Sequence, residues 1–359
     1  MNINRIDDVL NALRQVDDPD LGKDIVTLNM VQDLVVDSDA MTVQFRLVLT
    51  TPACPMKDLI MNACITAIKH LVSPDFKVTI KLDSKVISKA NNKGINNMPN
   101  VKNIIAVASG KGGVGKSTVA TNLALALGKL GAAVGLLDAD IYGPSLPIMM
   151  GLGNSRPDII QDGDAMKIVP FKKYEIVCMS IGCLVDEKQA LIWRGPMIST
   201  ALKQLMLDVE WGELDYLVID MPPGTGDIYL TLSQQFPLTG VVIVTTPQQV
   251  AVADVKKSIE MFVLPAINVP ILGIVENMSY LNLPNSAGKM YPFGQGGGAN
   301  LSEEYGIPLL LEIPLLEGLA SDADGGLPIV MNEHRTIEAK MFSSLAEQVA
   351  RQVAILTHS

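Results

Sequence analysis

Eight consecutive residues set the terms for the rest of this chain. Gly110-Lys111-Gly112-Gly113-Val114-Gly115-Lys116-Ser117 satisfies the pattern G-x-x-x-x-G-K-[ST]. An apolar run at residues 104–108 precedes it, and residues 117–130 carry apolar positions at helical spacing. Glycine allows successive backbone N–H groups to turn inward, and the start of the following helix adds a partial positive charge. A strand that ends in such a turn and opens a helix is the first half of a βαβ unit, so it demands a parallel sheet. As a phosphate cradle, the loop would use Lys116 as a full positive charge for the β- and γ-phosphates. The Ser117 hydroxyl would be a Mg²⁺ ligand.

The surrounding sequence supplies that sheet. Apolar strands are predicted at residues 104–108, 133–137, 216–219, 241–245, 271–275 and 309–312, with helical patterns between them, the clearest at 117–130 and 250–262. Continuous apolar strands separated by helical crossovers predict an α/β fold, a doubly wound, mostly parallel sheet covered by helices. The last helix, about residues 336–356, places Ile337, Met341, Leu345, Val349 and Val353 four apart, which predicts a core-facing stripe.

Ahead of this unit the pattern changes. Residues 84–103 are rich in Asn and Lys, carry Gly and Pro and show no apolar period, so they read as a linker. The predicted organisation is a small α+β domain over 1–83, the linker, and the P-loop domain over 104–359. The small domain opens with a helix marked by Ile3, Ile6, Val9, Leu10, Leu13 and Val16, with Asn2 or Asn4 as its cap. Strands at 30–36 and 41–49, a helix over about 57–71 and a strand at 77–82 complete an αββαβ order.

Composition narrows the class. The chain has 359 residues, and 48% hydrophobic with 18% charged residues excludes global disorder. With 28 Lys and Arg against 38 Asp and Glu, the net charge of −10 argues against nucleic acid and anionic membrane surfaces as partners. No apolar run approaches the ~20 residues that span a bilayer, and the acidic start MNINRIDDVL does not read as a signal peptide. Four cysteines, Cys54, Cys64, Cys178 and Cys183, are too few for a disulfide scaffold in a chain this long. A cytoplasmic protein with reduced thiols is the expectation.

Carboxylates stand where a phosphate site needs them. The strand at 133–137 runs into Asp138-Ala139-Asp140, and the strand at 216–219 ends in Asp220, followed by Met-Pro-Pro-Gly-Thr-Gly-Asp227. Acids at the carboxyl edge of strands beside a phosphate loop hold a metal ion or an attacking water. Asp138 and Asp140 have a rival reading as caps of the next segment.

Together these segments resemble one family closely. Lys111 at the second loop position marks the deviant Walker A group, similar to the MinD/ParA/ArsA branch of P-loop ATPases. VASGKGGVGKST, LLDADIYGPSLPIMMGL, IWRGPM, DYLVIDMPPGTGD, GIVENMSY and FGQGGG then resemble the Mrp/ApbC iron–sulfur cluster carriers over about 100–350. DPDLGKDIVTLNMV with TTPACPM is similar to the SufT-type iron–sulfur assembly domain often fused to them. The resemblance implies an ATP-hydrolysing homodimer that holds a [4Fe–4S] cluster and passes it to apo iron–sulfur proteins with other assembly factors. It implies ATP and Mg²⁺ binding by Gly110, Lys111, Gly112, Gly113, Val114, Gly115, Lys116, Ser117 and Thr118. Lys111 would reach the partner subunit's nucleotide, Asp140 would polarise the attacking water, Asp220 would hold the metal's second shell, and Asn277 would hydrogen-bond adenine; Asp138, from its place at the strand's end, is a further Mg²⁺ candidate.

One departure is chemical. The family's C-x-x-C pair, which bridges the cluster across the dimer, falls here on Leu283 and Ser286. Leucine cannot ligate iron, and serine is a poor ligand for a soft site. Cys54, between Pro52 and Pro55 just before a helix, is the replacement candidate, since an exposed thiol there would be acidified by the helix terminus. Cys64 falls on the apolar side of its helix, and the C-x4-C pair Cys178 and Cys183 is a weak metal signal. Two other readings stand beside the carrier: a MinD/ParA-like regulatory ATPase, and a nucleotide-switched adaptor that holds no cluster. RQVAILTHS and the acidic charge supply neither an amphipathic membrane helix nor a DNA-binding surface for the first.

Overall fold

The computed structural model describes residues 5–88, 97–163, 165–184, 195–224, 227–283 and 288–358. They divide into two compact units, one of Met1–Ile87 with Ala350–Ser359, the other of Ser88–Val349. Residues 89–96 of the predicted linker and the cap candidates Asn2 and Asn4 lie outside the described residues.

The small unit pairs a three-stranded sheet with two helices. Val31–Asp37 runs antiparallel to Thr42–Leu49, which runs parallel to Lys77–Ser84. The parallel pair needs a crossover, and helix Lys57–Leu71 provides it. Val9 and Leu13 of helix Arg5–Leu13 share a core with Val43, Phe45, Leu47, Ile60 and Ile68. Alternate burial along Thr42–Leu49 marks a sheet with one face on that core.

The large unit is built on an eight-stranded sheet. From one edge the order is Phe171–Lys173, Ile176–Ser180, Val134–Asp138, Leu214–Asp220, Val101–Ser109, Leu238–Thr245, Ile271–Glu276 and Leu309–Glu312. Every neighbouring pair is parallel except the first. The strand Val101–Ser109 lies in the middle, and the chain winds first to one side of it and then to the other. Its helix, Lys116–Lys129, packs back on the sheet, against Val134–Asp138 and Leu214–Asp220 above all. Central strands are buried almost throughout, as a sheet covered on both faces requires.

Some elements go beyond the sequence reading. Phe171–Lys173 and Ile176–Ser180 are joined through Tyr174 and Glu175, both at positive φ (50° and 65°). Two-residue hairpin turns usually take Asn or Gly at such positions, so this one is hidden in the sequence. A hairpin at Ile159–Asp162 and Ala165–Ile168 and the helix Gly195–Leu207 are likewise additions. In helix Thr336–His358 the predicted stripe holds at Leu345, Val349 and Val353. It does not hold at Ile337, which is 74% exposed in the first turn, and holds only in part at Met341, since Phe342 beside it takes the buried place.

Candidate nucleotide site

Strand register gathers the site. Asp138, Asp220 and Ser180 face one another across parallel strands, and Asp220 is level with Val107, two residues before Ser109 at the strand's end. The carboxyl edge of the sheet is thereby lined with acids beside the loop, the position that open α/β sheets reserve for ligands.

The loop itself is tightly specified. Gly113 and Gly115 adopt φ of 82° and 84°, a left-handed conformation that favours glycine. A Cβ on Gly110 would lie 2.4 Å from the backbone of Asp254 in helix Gln249–Val263, so that position admits no side chain. Gly224 also turns at φ 99°, and its N–H donates to the Ser109 carbonyl at 3.0 Å, tying the segment after Asp220 to the loop's entry.

Lys116 is the electrostatic centre. Its side chain is 6% exposed, and its ammonium donates to Asp220 Oδ1 at 2.5 Å. It also lies 3.6 Å from Asp140 Oδ2 and 3.3 Å from Ser117 Oγ. Burial pushes the Asp220 carboxyl above its ordinary range, against the lowering pull of Lys116. Asp140 Oδ1 is buried with no hydrogen-bond partner, while its other oxygen faces Lys116.

Asp138 is engaged otherwise than its place at the strand's end suggests for a metal ligand. Its carboxylate accepts the N–H groups of Asp140, Ser145 and Leu146, each at 3.1 Å, and the Ser180 hydroxyl at 2.9 Å. Both oxygens are engaged in holding the segment after the strand. The structure therefore supports the capping alternative over a Mg²⁺ ligand. Burial, and secondarily the charge of Asp220, push this acid up to about 7.

Asn277 meets the loop directly. Its side-chain N–H donates to the Val114 carbonyl at 2.9 Å, and a Cβ on Gly115 would lie 2.1 Å from that nitrogen. Bracing the loop is the contact seen; sequence spacing alone does not reveal it. Lys111 is exposed, its carbonyl accepting from Ser109 Oγ at 3.0 Å, and the Thr118 carbonyl accepts from Asn122 at 2.9 Å.

The cysteines differ from expectation at one point. The turn before the helix predicts an exposed Cys54 thiol, whereas the structure buries it at 7% exposure among Ile60, Cys64 and their neighbours. The flanking turn folds inward because Ala53 and Cys54 complete the apolar core. Cys64 is fully buried, and desolvation pushes it up to about 12. Burial does the same to Cys178, to about 12, and to Cys183, to about 11. Among the described residues no group of three or more His, Cys, Asp and Glu is placed to hold a metal ion. Leu283 is partly exposed, its N–H donating to the Gly288 carbonyl at 3.1 Å, and Ser286 lies outside the described residues.

Comparison with known proteins gives this geometry a family. A family described as NUBPL iron-transfer P-loop NTPase matches residues 100–350, well over half the chain. The chain belongs to the NUBPL iron-transfer P-loop NTPase family. A second family, described as iron-sulfur cluster assembly protein, matches residues 6–82. The iron-sulfur cluster carrier protein of Synechocystis sp. is 45% identical over 350 residues, 97% of this chain and 98% of the relative. The protein of the same name from Escherichia coli K12 is 50% identical over 264 residues, 73% of this chain and 69% of the relative. Among solved structures, a nucleotide-binding protein from Archaeoglobus fulgidus in complex with ADP is 39% identical. It has a TM-score of 0.55 and covers 64% of this chain and 88% of its own. The septum site-determining protein MinD of Pyrococcus horikoshii, complexed with Mg-ADP, has a TM-score of 0.50 at 24% identity. It covers 69% of this chain and 95% of its own, and speaks for the fold alone. The P-loop NTPase assignment and the mostly parallel sheet with its small α+β companion agree with the sequence reading. No helix among the described residues is long and apolar enough to cross a membrane.

Proposed function

We propose that this P-loop NTPase binds and hydrolyses ATP as a cytoplasmic homodimer, and that the nucleotide cycle governs the receipt of an iron–sulfur cluster and its delivery to apoproteins. The observation that carries the nucleotide half is the buried Lys116 ammonium, 2.5 Å from Asp220, on a loop whose glycines match a phosphate cradle. The cargo half rests on the relatives' names and on the two family matches.

The residues fit ATP with Mg²⁺. The orphaned Asp140 oxygen and the excess of carboxylates over the single ammonium suit a divalent cation with its waters. Ser117 would ligate the ion and Asp220 would orient one of its waters; bound Mg²⁺ would offset charge on the phosphate oxygens. Backbone N–H groups of Gly112, Gly113, Val114, Gly115 and Lys116 would cradle phosphate, with Thr118 beside them. On this reading Lys116 exchanges its carboxylate partners for phosphate, and Asp140 orients the attacking water. Lys111, exposed at the loop, is free to serve a second subunit's nucleotide. Asn277 stands next to the loop, where its remaining amide capacity suits adenine.

The cysteine positions favour a labile cargo. With Leu283 in the family's ligand position and all four cysteines buried, the cluster's shell would be completed by thiolates of a donor, an acceptor or glutathione. The same observation gives the adaptor reading its support. Anaerobic reconstitution with iron and sulfide, followed by transfer to an apo-ferredoxin, separates the two. ATP-dependent transfer supports the carrier, and no transfer with intact ATP binding supports the adaptor.

A further inference from the structure

We infer that Glu276 is a positioning residue for nucleotide, tying the glycine-rich segment before helix Gly297–Tyr305 to the phosphate loop through Asn277. The inference rests on the nucleotide reading above.

Glu276 ends the strand Ile271–Glu276 and is completely buried. A carboxylate in that position is tolerated only with strong donors, and it has two. The Ser279 hydroxyl donates to Oε1, and the Gly298 N–H donates to Oε2. The second donor belongs to the first turn of a helix, where a negative charge is favoured. Gly298 suits the approach, since a Cβ there would crowd the Glu276 Cβ at 3.0 Å. Gly297 is equally constrained, at 3.0 Å from the Cα of Pro247. This accounts for the last two glycines of FGQGGG without placing them on a ligand.

The first donor closes a turn that would otherwise be unfavourable. Met278 has φ 54°, a left-handed conformation that a side chain disfavours. The turn is held by Asn277 N–H to the Thr245 carbonyl at 2.8 Å, by Ser279 N–H to the Ile313 carbonyl at 2.9 Å, and by the Glu276 carboxylate. The residue the turn presents is Asn277, whose amide contacts Val114 and occupies the space a Gly115 side chain would need. One buried carboxylate thus fixes the turn that braces the loop.

The test is ATP binding by equilibrium titration on the full chain, with melting measured in parallel. Glu276→Ala is expected to bind ATP about tenfold more weakly, and Asn277→Ala similarly. The double variant should be no more than about threefold worse than the weaker single variant, because both act through one contact. Glu276→Gln, whose carbonyl can accept from Gly298 and whose amide can donate to Ser279, should stay within about threefold of the parent. Val349→Ala, a core truncation in the last helix, should lower the melting temperature and leave affinity unchanged. Multiplying losses in the double variant, or parent-like affinity in Glu276→Ala, overturns the inference. If Glu276→Ala does not fold, Ser279→Ala carries the test, and parent affinity there also overturns it. A parent that binds no ATP overturns the nucleotide reading and this inference together, whereas parent binding with unaffected variants removes the inference alone.

Discussion

Lys116 is a single positive charge carried into the company of Asp140 and Asp220, and its removal has two separable consequences. Lys116→Ala should weaken ATP binding by more than tenfold, at least about 1.4 kcal/mol, in a calorimetric titration. It should also destabilise the fold by about 3–5 kcal/mol, because buried carboxylates lose their counter-charge. The folded-state Asp220 carboxyl already lies above its ordinary range, and without Lys116 it rises further. A raised acid binds protons more readily in the folded than in the unfolded chain, so the variant's deficit should shrink from about pH 8 to about pH 5. Denaturant melts at both pH values check this; a constant deficit contradicts it. The thiols make a second residue-level case. At about pH 8, groups pushed up to about 12 and 11 are less than about one part in a hundred thiolate. Iodoacetamide should therefore label Cys64, Cys178 and Cys183 only after unfolding, as read by peptide mass spectrometry. The meeting of Lys116 and Asp220 at the carboxyl edge of the sheet was legible because charge type and spacing put both beside the loop. The hydrogen bonds that commit Asp138 to its own loop, and the inward turn of Cys54, depend on tertiary packing that no local pattern records.

At the scale of elements, the phosphate loop is set by what presses on it from outside. Gly110 and Gly112 look equivalent in the motif, yet their surroundings differ. Gly110 abuts the backbone of helix Gln249–Val263, whereas a Cβ on Gly112 would meet only Pro223 Cγ at 3.9 Å. Gly110→Ala forces a backbone shift costing about 1–3 kcal/mol, so melting should fall by about 3–10 °C. Gly112→Ala should melt within about 1 °C of the parent. Equal effects of the two substitutions would show that glycine is needed here for flexibility and not for close approach. The strands of the central sheet were readable because burial on both faces leaves continuous apolar runs, and each carried at least its middle residues into the structure. The edge strand Phe171–Lys173 was not, because it is short and its turn uses Tyr174 and Glu175 in conformations usually given to Asn and Gly. Helix Gly195–Leu207 does bury Ile198, Leu202 and Leu205 at helical spacing, so its signal was present but confined to one stretch between less regular segments.

For the molecule as a whole, the question is how a chain of a cluster-carrying family handles iron with every cysteine indoors. Dimerisation bears on it first: if Lys111 serves a partner's nucleotide, Lys111→Ala should keep ATP affinity while losing ATP-dependent dimers in sedimentation. A dimer also decides the ligand count. A [4Fe–4S] cluster needs about four thiolates, and a pair from each of two subunits meets that need. Here the pair would come from 283 and 286, and Leu283, partly exposed just after the short strand Leu281–Asn282, offers the right access with the wrong chemistry. Cys54 cannot simply replace it, since its side chain packs against the helix it precedes and a standing ligand needs its sulfur outside that core. The parent chain is therefore expected to take up iron and sulfide in a form that a chelator strips quickly. Leu283→Cys with Ser286→Cys should convert this to about four iron atoms per dimer that resist the same chelator. Cys54→Ala should leave the iron content of that double variant unchanged while lowering its melting temperature, as a small core truncation does. Absorbance near the thiolate-to-iron charge-transfer bands and iron per dimer report both outcomes. Chelator-resistant iron in the parent, abolished by Cys54→Ala, would mean that the small unit opens to expose its thiol and would return Cys54 to the ligand set.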